Sequence, residues 1–363
     1  MSFTPGSALM QQRVQQSITN LNNAAAALAA QMQQQKDAQA AAAQLVSNVP
    51  NGLGDGALKP ASGIATDPTL WQNALKPTDT VGSDGKHTVQ VKQTAKKAIL
   101  TWDSFNVGRD TTLYFNQSAG NLSGGGNDWI ALNRVNDPSA KPSQILGAMK
   151  AEGTVYVLNR NGVIFGQGAQ VNTRSLLASS MDLFSNDLKA SNSVFLSSGI
   201  SDPARAIQPV LIADPTAGRS GDVVVEKGAS ITGSANGFVI LAAPHVTNRG
   251  AIVADDGQVL LASNANIQSQ SGDGSLNLQP ADTSSPSASD GIDNTGLIQA
   301  RRGAITIFGP DIHQDGVVVT STSITRPGSI SIGVPVGSKY APIEFGAGSA
   351  VSYTHLTLPT KLL

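Results

Sequence analysis

The ten residues Asn248-Arg-Gly250-Ala-Ile252-Val-Ala254-Asp-Asp-Gly257 can be laid on Asn294-Thr-Gly296-Leu-Ile298-Gln-Ala300-Arg-Arg-Gly303. The Asn, the first Gly, the Ile, the Ala and the final Gly coincide. Gly237 and Gly257 stand 20 residues apart, and Gly237–Gly250 and Gly303–Gly316 are each 13 apart. Such self-similarity constrains the fold more than any single strand does, because each repeat must bury its apolar side against the next. A repeat of this length fits one turn of a parallel β-helix. Three sides of about five residues plus corners make a rung, and rungs rise about 4.8 Å apart. Small apolar residues stack inside, and Gly and Asn occupy corners that need positive φ. Stacked Asn side chains can bond along the axis as a ladder. A β-sandwich also alternates, but it does not generate the repeated Asn-x-Gly-x-Ile-x-Ala-x-x-Gly frame.

The rest of the chain fits around this shaft. From Thr88 the pattern has period two, with Val89 and Val91 alternating with Gln90 and Lys92, followed by Ile99, Leu100, Trp102, Phe105, Val107, Leu113 and Phe115. Short apolar runs recur at 155–158, 163–165, 223–225, 238–241, 259–261, 305–308 and 317–319, separated mostly by Gly, Asn or Asp. Residues 1–50 read as an Ala/Gln-rich helical or disordered arm. Within it Val14, Ile18, Leu21, Ala25, Leu28 and Met32 form a weak heptad-like seam. Residues 51–87 read as an extended connector, and 268–291, rich in Ser, Asp, Gly and Pro, as a loop excursion from the shaft.

Composition excludes several classes of function. Lys and Arg number 24 against 25 Asp and Glu, so no basic footprint for nucleic acid exists. Without cysteine there is no disulfide, thiolate metal site or cysteine nucleophile. A cysteine-free chain also suits passage through an oxidising compartment in the unfolded state. No apolar run is long enough for a membrane-spanning helix, and Met1–Pro50 lacks the pattern of a signal peptide.

Catalytic and ligand motifs find little support. His87, His245, His313 and His355 are scattered without metal-ligand spacing. Ser175–Ser180 lacks a Gly-x-Ser-x-Gly elbow, and Ser123–Gly126 lacks the Gly-Lys-Ser/Thr of a phosphate loop. Asp255-Asp256 is the one adjacent acidic pair. The repeat alignment sets it opposite Arg301-Arg302, which predicts ion pairs between neighbouring rungs. Lys86, His87, Lys92, Lys96 and Lys97 form a mild basic cluster, read as a solvated strand face. No cofactor is expected.

Residues 99–181 carry an ordered series of motifs. It includes Trp102-Asp-Ser-Phe105, Leu132-Asn133-Arg134-Val135, Ile145-Leu146-Gly147, and Leu158-Asn159-Arg160-Asn161-Gly162-Val163-Ile164-Phe165-Gly166. This series resembles the amino-terminal two-partner secretion domain of the filamentous haemagglutinin family. The resemblance implies an all-β, right-handed parallel β-helix, with the secretion domain at 88–205 and shaft repeats at 206–351. It also implies an exoprotein, not an enzyme, secreted through the periplasm to the bacterial surface. Its implied partner is an outer-membrane transporter carrying POTRA domains, and its further target a receptor or glycan on a host or neighbouring cell.

The family's signature turn, Asn-Pro-Asn-Gly plus an aliphatic residue, corresponds here to Asn159, Arg160, Asn161, Gly162 and Val163. These five are the candidate transporter-recognition residues. Trp102, Phe105, Asn133, Arg134, Gly147 and Phe165 are the candidate structural residues of the motifs. The expected whole is a large adhesin; the alternatives are a contact-dependent inhibition protein or a β-helical polysaccharide-degrading enzyme. Residues 352–363 lack the rung pattern and are expected to be a non-native tail.

Overall fold

In the computed structural model, the described residues are 5–42, 48–122, 127–183, 188–197, 209–212, 220–263, 265–271, 276–283, 289–321, 328–334 and 343–354. His355, Ser123–Gly126 and most of the expected tail lie outside them, as does the side chain of Val14.

Strands stack in register on three faces, as the 20-residue repeat requires. Face A carries eight parallel strands: Lys97–Phe105, Ile130–Val135, Thr154–Asn159, Ser175–Ser179, Phe238–Ala243, Gln258–Ser263, Ala304–Phe308 and Ser329–Gly333. Face B runs from Ser143–Ile145 through Val163–Phe165, Val223–Val225, His245–Asn248, Gly291–Asn294 and Ile312–Gln314 to Ile343–Phe345. Face C runs from His87–Lys92 through Thr111–Asn116, Ala148–Ala151, Gln170–Thr173, Ser230–Gly233, Ala251–Ala254, Leu297–Arg301 and Val317–Ser321 to Ala350–Thr354. The chain visits the faces in rotation, which makes a parallel β-helix.

Registers convert the period-two pattern into columns. On face C, Val89, Leu113, Met149, Val171, Ile231, Ile252, Ile298 and Val318 stack inward. On face A the inward column is Leu100, Asn133, Val157, Ala178, Leu241, Leu261 and Ile307. The expected corner ladder is present: Asn248 Nδ2 donates to Asn294 Oδ1 at 2.7 Å, and Asn294 Nδ2 to Gln314 Oε1 at 2.8 Å. The paired charges also meet on neighbouring rungs. Arg301 Nε lies 2.8 Å from Asp255 Oδ2, and Arg302 Nε 2.7 Å from Asp256 Oδ1.

Face A is apolar on both sides. Its outward column of Ile99, Leu132, Tyr156, Leu177, Ile240 and Leu260 forms a second core with Leu183, Phe195, Leu211 and Ile267. The cover consists of the helix Leu188–Ser197 and a small sheet of Asp182–Leu183, Pro209–Ile212, Ala265–Ser271 and Leu276–Thr283. Burial on both sides explains why these strands read as continuous apolar runs. The segment expected as a loop at 268–291 thus contributes most of an antiparallel hairpin.

Two further expectations change. The stretch 51–87, read as a connector, carries strands that close the open edge of the first rung. Leu58–Pro60 and Trp71–Gln72 pair antiparallel with Lys97–Phe105, and Thr78–Val81 pairs with His87–Lys92. Edge closure of this kind blocks end-to-end strand addition. The arm is a helix, Pro5–Ala42, but its buried ridge is Gln35, Ala38 and Ala42. Ile18, Leu21 and Met32 of the expected seam are about half exposed. The ridge is polar and small because it lies on a β-helix corner, where backbone groups and glycines leave room for Gln and Ala.

Candidate functional site

The turn Asn159–Val163 joins face A to face B. Asn159 ends its face A strand with a buried side chain. Its Oδ1 accepts from Asn161 N at 2.9 Å, and its carbonyl accepts from Gly162 N at 2.8 Å. These two bonds make an Asx turn inside a β-turn. The Asn159 amide also donates to Ser143 Oγ at 3.0 Å and Lys141 O at 3.3 Å, which ties the turn to the rung below. On the other side, Gly221 N donates to Arg160 O at 2.8 Å and Val163 N to Asp222 O at 3.0 Å. Gly162 has φ of 103°, and a Cβ there would lie 2.5 Å from Asp222 O. Glycine is needed at 162 for both reasons.

The turn is therefore held from two rungs, and its five residues differ in access. Asn159, Gly162 and Val163 are buried, Asn161 is half-buried, and Arg160 is exposed. Arg occupies the position of the family's Pro, and it replaces ring rigidity with a projecting cation.

The six other candidates lie inside the molecule. Trp102 is fully buried and donates its Nε1–H to Asn133 Oδ1 at 2.9 Å. The Asn133 amide continues to Tyr156 O at 3.0 Å, so an inward asparagine satisfies the one polar atom of the tryptophan. Trp102 also meets Trp71 and Phe105 edge-on, with ring centroids 5.1 and 5.3 Å apart. Phe165 fills the core at face B. A Cβ at Gly147 would lie 2.2 Å from Gly108 O and 2.3 Å from Thr111 O, so the chain crosses there at backbone contact.

Arg134 points outward and clamps the cover of face A. It binds Asp182 Oδ1 at 2.5 Å, Asn192 Oδ1 at 2.6 Å and Ser191 Oγ at 2.5 Å. Sequence reading identified Arg134 but none of these partners. The helix that supplies two of them was not legible as an element.

Arg134 and Arg160 line one cleft of ≈ 310 Å³ with Leu70, Leu158, Met181 and Asp182. Asn133, Trp102, Phe105, Gly147 and Phe165 are not part of it. Among the described residues no His, Cys, Asp or Glu set is arranged to hold a metal ion, and no helix is long and apolar enough to cross a membrane.

The chain matches the family model for the TPS secretion domain over residues 62–332. The chain belongs to the TPS secretion domain family. The match begins within residues 51–87 and runs on through the shaft repeats. The chain is 30% identical over 236 residues to a heme/hemopexin-binding protein of Haemophilus influenzae strain Rd, covering 62% of this chain. A second heme/hemopexin-binding protein of Haemophilus influenzae is 40% identical over 93 residues, which is 26% of this chain. The matches span 22% and 9% of those relatives' lengths. Among solved structures, the HMW1 secretion domain of Haemophilus influenzae superposes with a TM-score of 0.53 at 20% identity, covering 74% of this chain and 63% of that one. That likeness concerns the fold. Exoproteins with such a secretion domain pass through the periplasm to the cell surface.

Proposed function

We propose that this chain is the export domain of a large two-partner-secreted exoprotein. An outer-membrane transporter with POTRA domains recognises it in the region of Asn159–Val163. The family match over residues 62–332 carries this reading. The geometry of the turn supports a division of labour. Asn159, Gly162 and Val163 shape the turn, whereas Arg160 and Asn161 reach solvent, where a partner strand can meet them. Folding outside the cell biases passage forward, because each new rung buries apolar area worth roughly 25 cal/mol per Å².

For the whole exoprotein we propose a surface adhesin that engages a receptor or glycan. The names of the two relatives support a second reading, in which the remainder of the exoprotein binds heme or hemopexin. The test is secretion of residues 1–351 behind a cleavable signal peptide, with and without the cognate transporter. Transporter-dependent appearance in the medium is the expected outcome. Loss of export in Arg160→Glu with Asn161→Ala, while the purified variant stays folded, assigns recognition to the turn. Retention of the wild-type domain in the periplasm beside its transporter sinks the export reading.

A further inference from the structure

The helix Pro5–Ala42 lies along the corner between faces B and C. Four consecutive rungs turn this corner at Gly168, Gly228, Arg249–Gly250 and Thr295–Gly296, each just before its face C strand. The helix meets them in reverse order. The Ala42 Cβ lies 3.1 Å from where a Gly168 Cβ would sit, and the Ala38 Cβ 3.1 Å from that of Gly228. Gln35, 5% exposed, bridges two rungs: it accepts from Gly228 N at 2.7 Å and donates to Arg249 O at 2.8 Å. Gln31 donates to Thr295 O at 3.4 Å. From residue 42 to 31 the helix advances about 16.5 Å at 1.5 Å per residue. Three rung spacings take about 14.4 Å. Helix turns and rungs therefore stay in step from Ala42 to Gln31.

We infer that this helix is a clasp that closes only on a finished shaft, open while the chain is exported and shut after the shaft folds outside. The inference rests on the export reading above. Gln31 and Thr295 are 264 residues apart in sequence. The earlier rungs offer landing points for Ala42, Ala38 and Gln35, but the track is complete only when the rung of Leu297–Arg301 has formed. Before that rung exists, holding the Gln31 end of the helix against the shaft costs entropy with no contact in return, which places full closure last. Once docked, Gln35 joins two rungs by side-chain bonds, and the row from Ala42 to Gln31 spans four. A shaft that otherwise links only nearest neighbours gains a tie between rungs far apart in sequence.

Pulsed hydrogen exchange during refolding of the full chain tests the order, with no transporter present, so its outcome is separate from that of the export assay. Slow exchange across the whole of 31–42 is expected to arise with or after that at 297–301. Native exchange on two variants tests the contact. In Ala38→Glu with Ala42→Glu, the longer side chains cannot lie against Gly228 and Gly168. Exchange at 31–42 should accelerate at least ten-fold while 223–301 keep wild-type protection. Ala40→Glu, on the exposed side of the helix, should leave it unchanged. Protection of all of 31–42 before the rung at 297–301, or full protection in the double variant, overturns the clasp.

Discussion

Asn159 and Arg134 illustrate how a single polar side chain can fix a β-helix locally. The Asn159 amide serves the turn through its oxygen and the rung below through its nitrogen. Replacing it with alanine leaves the Ser143 hydroxyl and the Asn161 N–H without those partners in a buried place, a deficit of about 2 kcal/mol. Asn161 is half-buried, and Asn161→Ala should stay within about 0.5 kcal/mol of wild type. Urea unfolding of the two variants checks this, and equal losses would remove Asn159 as the holder of the turn. Arg134 holds three partners at once, of which Asp182 is the charged one. Arg134→Met keeps the apolar stem but strands that carboxylate, at a cost of about 3 kcal/mol. Hydrogen exchange should place the damage at Leu188–Ser197, with the inner columns of faces B and C unaffected. Uniform loss across the shaft would mean that Arg134 does not act through the cover.

At the level of the element, stacking brings like positions of successive rungs into one row, and rows of unlike charge become pH-dependent. On face B, Thr247, Asp293, His313 and Glu344 follow one another in register. His245 Nε2 lies 3.0 Å from Asp293 Oδ2 and His313 Nδ1 3.4 Å from Asp293 Oδ1. The hydrogen bond to Asp293 raises the pKa of His245 against the opposing effect of burial, with Asp222 adding to the rise. The same bond lowers the Asp293 pKa, helped by His313 and Arg249. His245 stabilises the fold fully below the ordinary histidine pKa of 6.5, and this is lost as pH rises through the raised value. Asp293 stabilises it fully above 3.8, and this is lost as pH falls through the lowered value. The pair thus contributes most between about pH 4 and 6.5. Solvent limits the effect to about 1 kcal/mol. Wild type should lose about 1–2 °C more of its melting temperature than Asp293→Asn between pH 6 and 8. Parallel melting curves would refute the pairing. Such rows also show what sequence made legible. Asn248 over Asn294 and Asp255 beside Arg301 followed from the repeat frame, because side chains one rung apart must touch. The Gln35 contacts and the cover of face A did not follow. Both join segments of unlike pattern: the helix lands with Gln and Ala, and the cover supplies Leu183, Phe195, Leu211 and Ile267 from separate short segments, so neither carries a periodic signal of burial. The strands at 58–81 were missed for a related reason. They are two to four residues long, too short to display alternation.

Taken whole, the molecule is an unevenly protected rod. Its first rungs are closed by antiparallel strands and covered on face A by a second core. That cover ends along the shaft: the outward column of face A passes from Leu260 to Thr306, the first polar residue in the row. Among the described residues the last rungs have neither device, only the helix Pro5–Ala42 against Ala350–Thr354, and Phe345 and Val351 are 57% and 43% exposed. In a stack where each rung is held by its neighbours, stability follows local burial, and opening starts where a neighbour or cover is missing. The strands Ser329–Gly333 and Ala304–Phe308 should therefore exchange their amides in moderate urea while Thr154–Asn159 and Ser175–Ser179 remain protected. A substitution in the inner column sharpens the contrast. Ile298→Asp places a carboxylate where the side chain is wholly buried between Ile252 and Val318. The expected result is fraying from Leu297 onward, with rungs before Ser230 keeping wild-type protection, since the cost of a buried charge is met by opening the least covered neighbours first. Mass-resolved exchange across a urea series reads both. Loss of all rungs at one urea concentration in both proteins would mean that the shaft unfolds as one unit, and that its covered base confers no local advantage.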